Sequence, residues 1–199
     1  MATKKRGVSQ SVKEAVAGAI RSAGDVAQGV VDTVSGTLAT PLRGVRQMTG
    51  EALGLVFETV SGAVQSVAQA GGDVTTAARG AVLGVIRGTR HIAVGSLEAI
   101  STSAQAAVKG VGDVGGDVGA AAKGAVQGAI QGAREMGTNV EEAASAAASG
   151  ALEAAGEMSS TAAERVRKAL SGTIFGVKVV LRKPVKREGR EKRGSKPKE

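Results

Sequence analysis

The sequence predicts an all-α protein of long amphipathic helices with an eleven-residue repeat, followed by a disordered basic C-terminal tail. Fifteen positions spaced by eleven, from Val12 to Val166, hold Val, Ile or Ala with the single exception of Thr89. Eleven residues in three turns is about 3.67 residues per turn, so these positions share one side of a nearly straight helix. Prolines stand only at positions 41, 184 and 197, and none therefore interrupts a helix between residues 42 and 183.

Neighbouring positions widen this row into an apolar stripe that covers roughly 130° of the helix circumference. A stripe this wide and this poor in large side chains predicts a shallow surface and not a pocket. We assign twelve of its residues to a surface-binding face: Val12, Val34, Val45, Leu53, Val56, Val67, Ile86, Leu97, Ile100, Val111, Ile130 and Val166.

Basic residues follow the edge of the stripe, where their methylenes can lie on apolar material while the charges stay in water. Any solvated helix face also carries charges, so this placement has two explanations. One explanation is solvation alone, and the other is binding to an anionic surface. If these residues bind such a surface, the contacts come from seven residues of the repeat and four of the tail: Lys13, Arg46, Arg79, Arg90, Lys123, Arg134, Arg167, Arg182, Lys183, Lys186 and Arg187.

Shifts in composition divide the chain into four segments. Residues 1–7 form a basic N-terminal tail, and residues 8–171 a helical repeat region rich in Gly, Ala and Val. Residues 172–185 form a short apolar β-prone segment, which is either a strand or an apolar anchor. Residues 186–199 form a disordered basic tail.

Within the repeat region we predict helices over residues 8–38, 42–70, 73–114 and 117–170. The breaks between them, which allow helical hairpins, fall near Pro41, Gly71-Gly72 and Gly115-Gly116. Two segments that begin 44 residues apart, Gly71–Arg90 and Gly115–Arg134, match one another: GGDVTTAARGAVLGVIRGTR and GGDVGAAAKGAVQGAIQGAR.

Glycine opposes helix formation in this region. Residues 8–181 contain 27 of the 30 glycines, and at about 1 kcal/mol each the handicap relative to alanine is on the order of 25 kcal/mol. An isolated helix of this composition is expected to unfold in water unless it gains a partner. The strips Gly80, Gly84, Gly88 and Gly124, Gly128, Gly132 either let two backbones approach closely or merely loosen a helix that forms when bound, and we favour the second interpretation.

Side chains that serve in catalysis are scarce, because the chain has no Cys, Trp or Tyr and a single histidine, His91, which we interpret as a solvated helix residue. Gly110, Gly112 and Gly115 spell GxGxxG, but that dinucleotide motif requires a preceding strand. We expect no enzyme activity, no catalytic residue, no metal site and no cofactor. Because aromatic residues supply the largest buried areas, we also expect extended helices and not a compact domain.

The net charge of +8 comes from the two ends of the chain. Residues 182–199 hold nine basic and three acidic residues, a net charge of +6, whereas residues 8–181 hold 14 basic and 15 acidic residues, a net charge of −1. Such a tail binds anionic lipid or, without sequence preference, nucleic acid. Neither an uncharged apolar run of about eighteen residues nor a secretory signal is present, so we expect an intracellular, cytoplasmic protein at the periphery of a membrane or granule.

Three stretches of the repeat region resemble known families in period and composition. EAVAGAIRSAGDVAQGVVDTVSG (14–36) and GAVQSVAQAGGDVTTAARGAV (62–82) are similar to the eleven-residue repeats of synucleins and perilipins. AASAAASGALEAAGEMSSTAAERVRKAL (143–170) resembles group 3 late-embryogenesis-abundant repeats. The resemblance implies a chain that is largely disordered in solution and becomes helical on lipid or on drying.

The leading hypothesis is therefore a non-enzymatic protein whose stripe adsorbs on a membrane, lipid droplet or storage granule, with basic residues at anionic lipid. The alternative is a structural protein in which the stripe packs on itself or on other copies as a homo-oligomer, with glycine at the close contacts. A stress-protective or polyanion-compacting role is the third hypothesis.

Overall fold

The computed structural model describes residues 26–92 and 96–179 and is all-α, as the sequence predicts. The described part holds seven helices: α1 (Val26–Ala39), α2 (Gly50–Gln69), α3 (Val74–Gly88), α4 (Ser96–Asp113), α5 (Val118–Met136), α6 (Val140–Met158) and α7 (Ser160–Leu170). Two short antiparallel strands follow, β1 (Thr173–Ile174) and β2 (Val177–Lys178). The strands lie inside the segment that the sequence marks as β-prone, and they contact α5 and α6.

The helices form two layers. Helices α1, α3, α5 and α7 lie side by side in one layer, and α2, α4 and α6 lie side by side in the other. Each helix also packs across the layers against the helix that follows it in the chain. This is the architecture of a helical repeat, in which each unit contributes one helix to each layer.

The turn between α2 and α3 explains why Gly-Gly-Asp-Val recurs in the sequence. Gly71 has φ of +74°, a conformation that favours glycine because it has no Cβ. The N–H of Gly72 donates to the Val67 carbonyl at 2.9 Å and closes the end of α2. Asp73 then begins α3, and its carboxylate accepts a hydrogen bond of 2.9 Å from the Thr75 N–H.

The turn between α4 and α5 repeats this geometry. Gly115 has the same φ of +74°, and the N–H of Gly116 donates to the Val111 carbonyl at 2.9 Å. Asp117 accepts from the N–H of Gly119 at 2.9 Å. The predicted breaks at the two glycine pairs are therefore confirmed, and residues 40–44 at Pro41 also lie in a turn.

The predicted helix boundaries are wrong in other places. The helix expected over 73–114 is two helices with residues 89–95 between them, and the one expected over 117–170 is three. Asn139 begins α6, and Ser159 both ends α6 and begins α7 through its extended backbone. The helix expected over 42–70 begins only at Gly50, and residues 8–25 of the first predicted helix lie outside the described residues.

The described helices are too short to test the predicted period of eleven residues. The longest described helix has 20 residues, so no described helix is long enough to hold three positions of one eleven-residue row. Val56 and Val67 show such a step, and both are fully buried in α2. One step does not distinguish 3.67 residues per turn from the ordinary 3.6, and the longer period stays a prediction.

Alanine dominates the interior. Of the 47 buried apolar residues described, 22 are alanines and none is aromatic. Side chains this small fill an interior only if the helices lie very close together. The expectation of extended helices without a compact core is therefore wrong for the described part, because close approach replaces large side chains.

The glycine strips are the positions of closest approach. A methyl group added at Gly80 would lie 2.7 Å from the Ala27 carbonyl oxygen of α1, and one added at Gly84 would lie 2.9 Å from that of Val31. A methyl group at Gly124 or Gly128 would collide with the backbone of α3. Our interpretation of these glycines as merely loosening the helix is wrong, since each strip packs its helix against the preceding helix of the same layer.

Glycine also lies at the positions of closest approach in the second layer. A methyl group at Gly110 of α4 would lie 3.0 Å from the Ser61 carbonyl oxygen of α2, and one at Gly150 of α6 would collide with the Ser101 carbonyl of α4. Both layers are thus held at a separation that only glycine permits at these positions.

Two substitutions of the same kind test this role of glycine. Gly128→Ala is expected to lower the free energy of unfolding by about 1–3 kcal/mol, because the methyl group meets rigid backbone. Gly54→Ala, in an exposed part of α2 with no atom within 4 Å of the added methyl, is expected to raise it by about 0.5–1 kcal/mol. Urea unfolding followed by circular dichroism measures both, and equal effects at the two positions would contradict the packing argument.

Candidate interaction surfaces

Most of the residues predicted to form a surface-binding face are buried between helices. Leu97 is exposed, Val45 and Leu53 are half-buried, and Val12 lies outside the described residues. The remaining eight are buried: Val34, Val56, Val67, Ile86, Ile100, Val111, Ile130 and Val166. In the folded bundle these eight side chains contact other helices of the same chain, so a surface reaches them only when the helices separate.

Basic residues, in contrast, are accessible. Arg79 is half-buried, and five others predicted to contact an anionic surface are exposed: Arg46, Arg90, Lys123, Arg134 and Arg167. Lys13 and the tail residues Arg182, Lys183, Lys186 and Arg187 lie outside the described residues.

The two layers carry opposite charge. Helices α1, α3, α5 and α7, which we call the basic layer, hold seven basic and three acidic residues, a net charge of +4. Helices α2, α4 and α6, the acidic layer, hold one basic and eight acidic residues, a net charge of −7. The linear sequence hides this segregation because successive helices alternate between the layers.

Three cations of the basic layer surround one concavity. Lys123 of α5 and Arg165 and Lys168 of α7 line a cavity of about 680 Å³ beside the start of α5. Asp117 also lines it, but its carboxylate already accepts hydrogen bonds from the first turn of that helix. The lining therefore holds three positive charges and one negative charge, a net charge of +2.

An ion pair joins α3 to α5 at the other end of the basic layer. Arg87 donates from Nε and Nη2 to the two carboxylate oxygens of Glu135, at 2.9 and 3.0 Å. This hydrogen bonding lowers the pKa of Glu135 and raises that of Arg87, in both cases against a smaller opposite effect of partial burial. Both side chains are more than a third exposed, so water screens much of the attraction.

An apolar cleft opens where the α3–α4 and α5–α6 connections meet. It has a volume of about 380 Å³ and brings together four of the residues singled out in the sequence, Ile86, Leu97, Ile100 and Arg90. Met136 of α5 completes its rim, with 39% of its surface exposed. Sequence periodicity places the three apolar residues on one stripe, but only the turns bring them to a common opening.

A second cavity lies on the other side of Arg90. It has a volume of about 580 Å³, and Arg43, Arg87 and His91 line it together with Arg90. His91 stands in the turn after α3, and not in a helix as expected, and its Nε2 donates to the Leu42 carbonyl at 2.8 Å. This hydrogen bond connects the two turns that carry the cationic side chains.

Two kinds of site considered in the sequence, a metal site and a dinucleotide motif, can be checked in the described residues. No group of three or more potential metal-ligating side chains occurs in residues 26–92 and 96–179. Gly110 and Gly112 lie inside α4, where a dinucleotide motif would need a strand before the first glycine. The arrangement favours binding by charge and by apolar contact.

No family model matches the chain, and no curated protein matches it. The solved structure of a de novo designed helical repeat protein aligns with 85% of this chain and 91% of its own, at 16% sequence identity and a TM-score of 0.49.

Among the helices of the described ranges, none combines the length and the apolar character that crossing a bilayer requires.

The Arg87–Glu135 pair gives a pH-dependent prediction. Because the folded-state pKa of Glu135 is lowered, the pair stabilises the fold above the unfolded-state pKa and loses its effect as pH falls through the folded-state pKa. Arg87→Gln is therefore expected to cost less than about 1 kcal/mol at pH 7, and to cost less at pH 3 than at pH 7. Urea unfolding at both pH values measures this, with Lys123→Gln as the control. A cost for Arg87→Gln that is as large at pH 3 as at pH 7 would contradict the assignment.

Proposed function

We propose that this protein is a non-enzymatic helical-repeat scaffold that adsorbs on the anionic surface of a membrane, lipid droplet or storage granule through its basic layer. The observation that carries the proposal is the segregation of charge between the layers, +4 against −7. An anionic surface attracts the first layer and repels the second, and it therefore also orients the molecule.

The basic layer supplies suitable contacts. Lys123, Arg165 and Lys168 share one concavity, and each cation near an anionic surface contributes about 1 kcal/mol. The tail residues Arg182, Lys183, Lys186 and Arg187 supply further attraction in this proposal. Two charged segments give firmer attachment than either alone, as in other peripheral proteins.

Sedimentation with vesicles tests the proposal. The full chain is expected to bind phosphatidylglycerol-containing vesicles and not pure phosphatidylcholine vesicles, and salt is expected to weaken binding. Lys123→Gln/Arg165→Gln/Lys168→Gln is expected to weaken it by about a hundredfold, from about 1 kcal/mol per charge.

The matched control removes three tail charges outside the four proposed contacts, as Arg190→Gln/Lys192→Gln/Arg193→Gln. Equal losses for both triple variants would show that net charge alone drives binding, and the basic layer would then have no special role. Binding to DNA that exceeds binding to anionic vesicles at the same salt concentration would overturn the choice of a lipid surface.

A second candidate function is adsorption of the opened bundle through its buried apolar faces. The alanine-rich interior supports this candidate. An alanine side chain exposes little apolar area when the layers separate, and a buried methyl group stabilises the fold by only about 0.8 kcal/mol. On this candidate the eight buried stripe residues contact an apolar surface after the layers separate. The resemblance to synucleins and perilipins implies the same mode of binding.

A cross-link distinguishes the two candidates. Leu97 of α4 and Met136 of α5 line one cleft, at the end of these helices opposite their connecting turn. The chain has no cysteine, so Leu97→Cys/Met136→Cys joined by a short bis-maleimide holds the two layers together. Adsorption on triolein droplets coated with phosphatidylglycerol is expected to fall at least about tenfold on cross-linking if the bundle opens, and to stay unchanged if the basic layer binds. The same double variant without the linker is the control.

A further inference from the structure

We propose that the apolar cleft binds one anionic single-chain amphiphile, with its hydrocarbon chain in the cleft and its acidic head at Arg90. This site is separate from the adsorbing face of the basic layer, and the inference does not depend on the proposed function. The chemistry expected of the ligand is that of a fatty acid.

The cleft has the size and lining of a small-molecule site. Its volume of about 380 Å³ falls within the range of roughly 300–1,000 Å³ for ligand pockets. Ile86 and Ile100 form a floor that is 8% and 7% exposed, and Leu97 and Met136 form a rim that is 41% and 39% exposed. Exposed apolar side chains around a concave opening mark a binding site more often than scattered ones do.

The rim accounts for most of the large apolar side chains that reach solvent. In residues 26–92 and 96–179, three such side chains are exposed, and two of them are Leu97 and Met136. Phe175, the third, lies in the turn of the hairpin and does not line the cleft. Burial of the rim by a ligand would therefore remove most of this exposed apolar surface.

Arg90 gives the site its charge preference. It lines both the apolar cleft and the neighbouring cavity of about 580 Å³, where Arg43, Arg87 and His91 also lie. A guanidinium pairs with a carboxylate through two parallel hydrogen bonds. A molecule with its chain in the cleft can thus place an acidic head at Arg90, with Arg43 in the neighbouring cavity.

Two of the other polar side chains that line the cleft already form hydrogen bonds. The Thr89 hydroxyl donates to the Val85 carbonyl at 2.8 Å, and the Asn139 side chain accepts from two N–H groups of α6. Glu142, in the first turn of α6, is the carboxylate among the lining residues. Its charge repels an acidic head, so it favours the orientation in which the head lies at Arg90.

These features together select an amphiphile. A small inorganic anion would contact Arg90 but leave the apolar floor and rim uncovered. A neutral apolar molecule would cover the rim but place no acidic group beside Arg90. A ligand with one hydrocarbon chain and one acidic group satisfies both parts of the site.

Titration calorimetry of the full chain with dodecanoate below its micelle concentration tests the proposal. One molecule is expected to bind per chain. Leu97→Gln/Met136→Gln is expected to weaken binding by about tenfold, since two apolar contacts are lost. Arg90→Gln is expected to weaken dodecanoate by about fivefold and to leave the neutral amphiphile dodecyl maltoside unaffected.

Matched controls are available at exposed positions away from the cleft. Phe175→Gln removes the third exposed apolar side chain, Arg46→Gln removes an exposed cation, and neither is expected to change binding. All these side chains are exposed, so helix content by circular dichroism is expected to stay constant. If the double variant nevertheless lost helix, Arg90→Gln would carry the test.

Three results would overturn the proposal. The first is uptake that does not saturate at one molecule per chain. The second is equal weakening by Phe175→Gln or Arg46→Gln, which would mean general adsorption. The third is equal affinity for phosphate or acetate, which would mean that an anion binds without its chain.

Discussion

Contact between helix backbones at glycine is the constraint on which the rest of this structure depends. Gly80 and Gly84 meet the carbonyl groups of α1, and Gly124 and Gly128 meet the backbone of α3. Without a side chain at these positions the helices lie close enough for alanine and valine to fill the interior. The handicap that glycine brings to an isolated helix is offset by dispersion contacts along both backbones.

The close packing of the helices also excludes charged side chains from the interior. An interior lined by methyl groups has no room for a long charged side chain, so the charged residues stand on the outer sides and at the ends of the layers. Because neighbouring helices in the chain belong to different layers, acidic α4 and α6 alternate with basic α5 and α7. The molecule therefore has a negative and a positive side although residues 8–181 are almost neutral overall.

The sequence predicts the helices and the turns at the two glycine pairs, because both follow from local chemistry. The ends of α3, α5 and α6 are harder to predict. In the sequence Asn139 and Ser159 resemble ordinary residues of a helix surface, and only the structure shows that they cap helices. The partner of each glycine strip is not encoded locally, because the contact joins helices two apart in the chain. For the same reason the sequence identifies Ile86, Leu97 and Ile100 as apolar neighbours without indicating the cleft that they share.

Each described helix packs mainly against helices that are near it in the chain. A described helix makes extensive contacts only with the next two helices on either side, and the matching segments at Gly71 and Gly115 occupy equivalent places in successive units. Duplication or loss of one such unit would lengthen or shorten the stack while every remaining helix kept the neighbours it needs. A gene for such a protein can thus gain or lose whole units by unequal recombination while the packing of the interior stays the same.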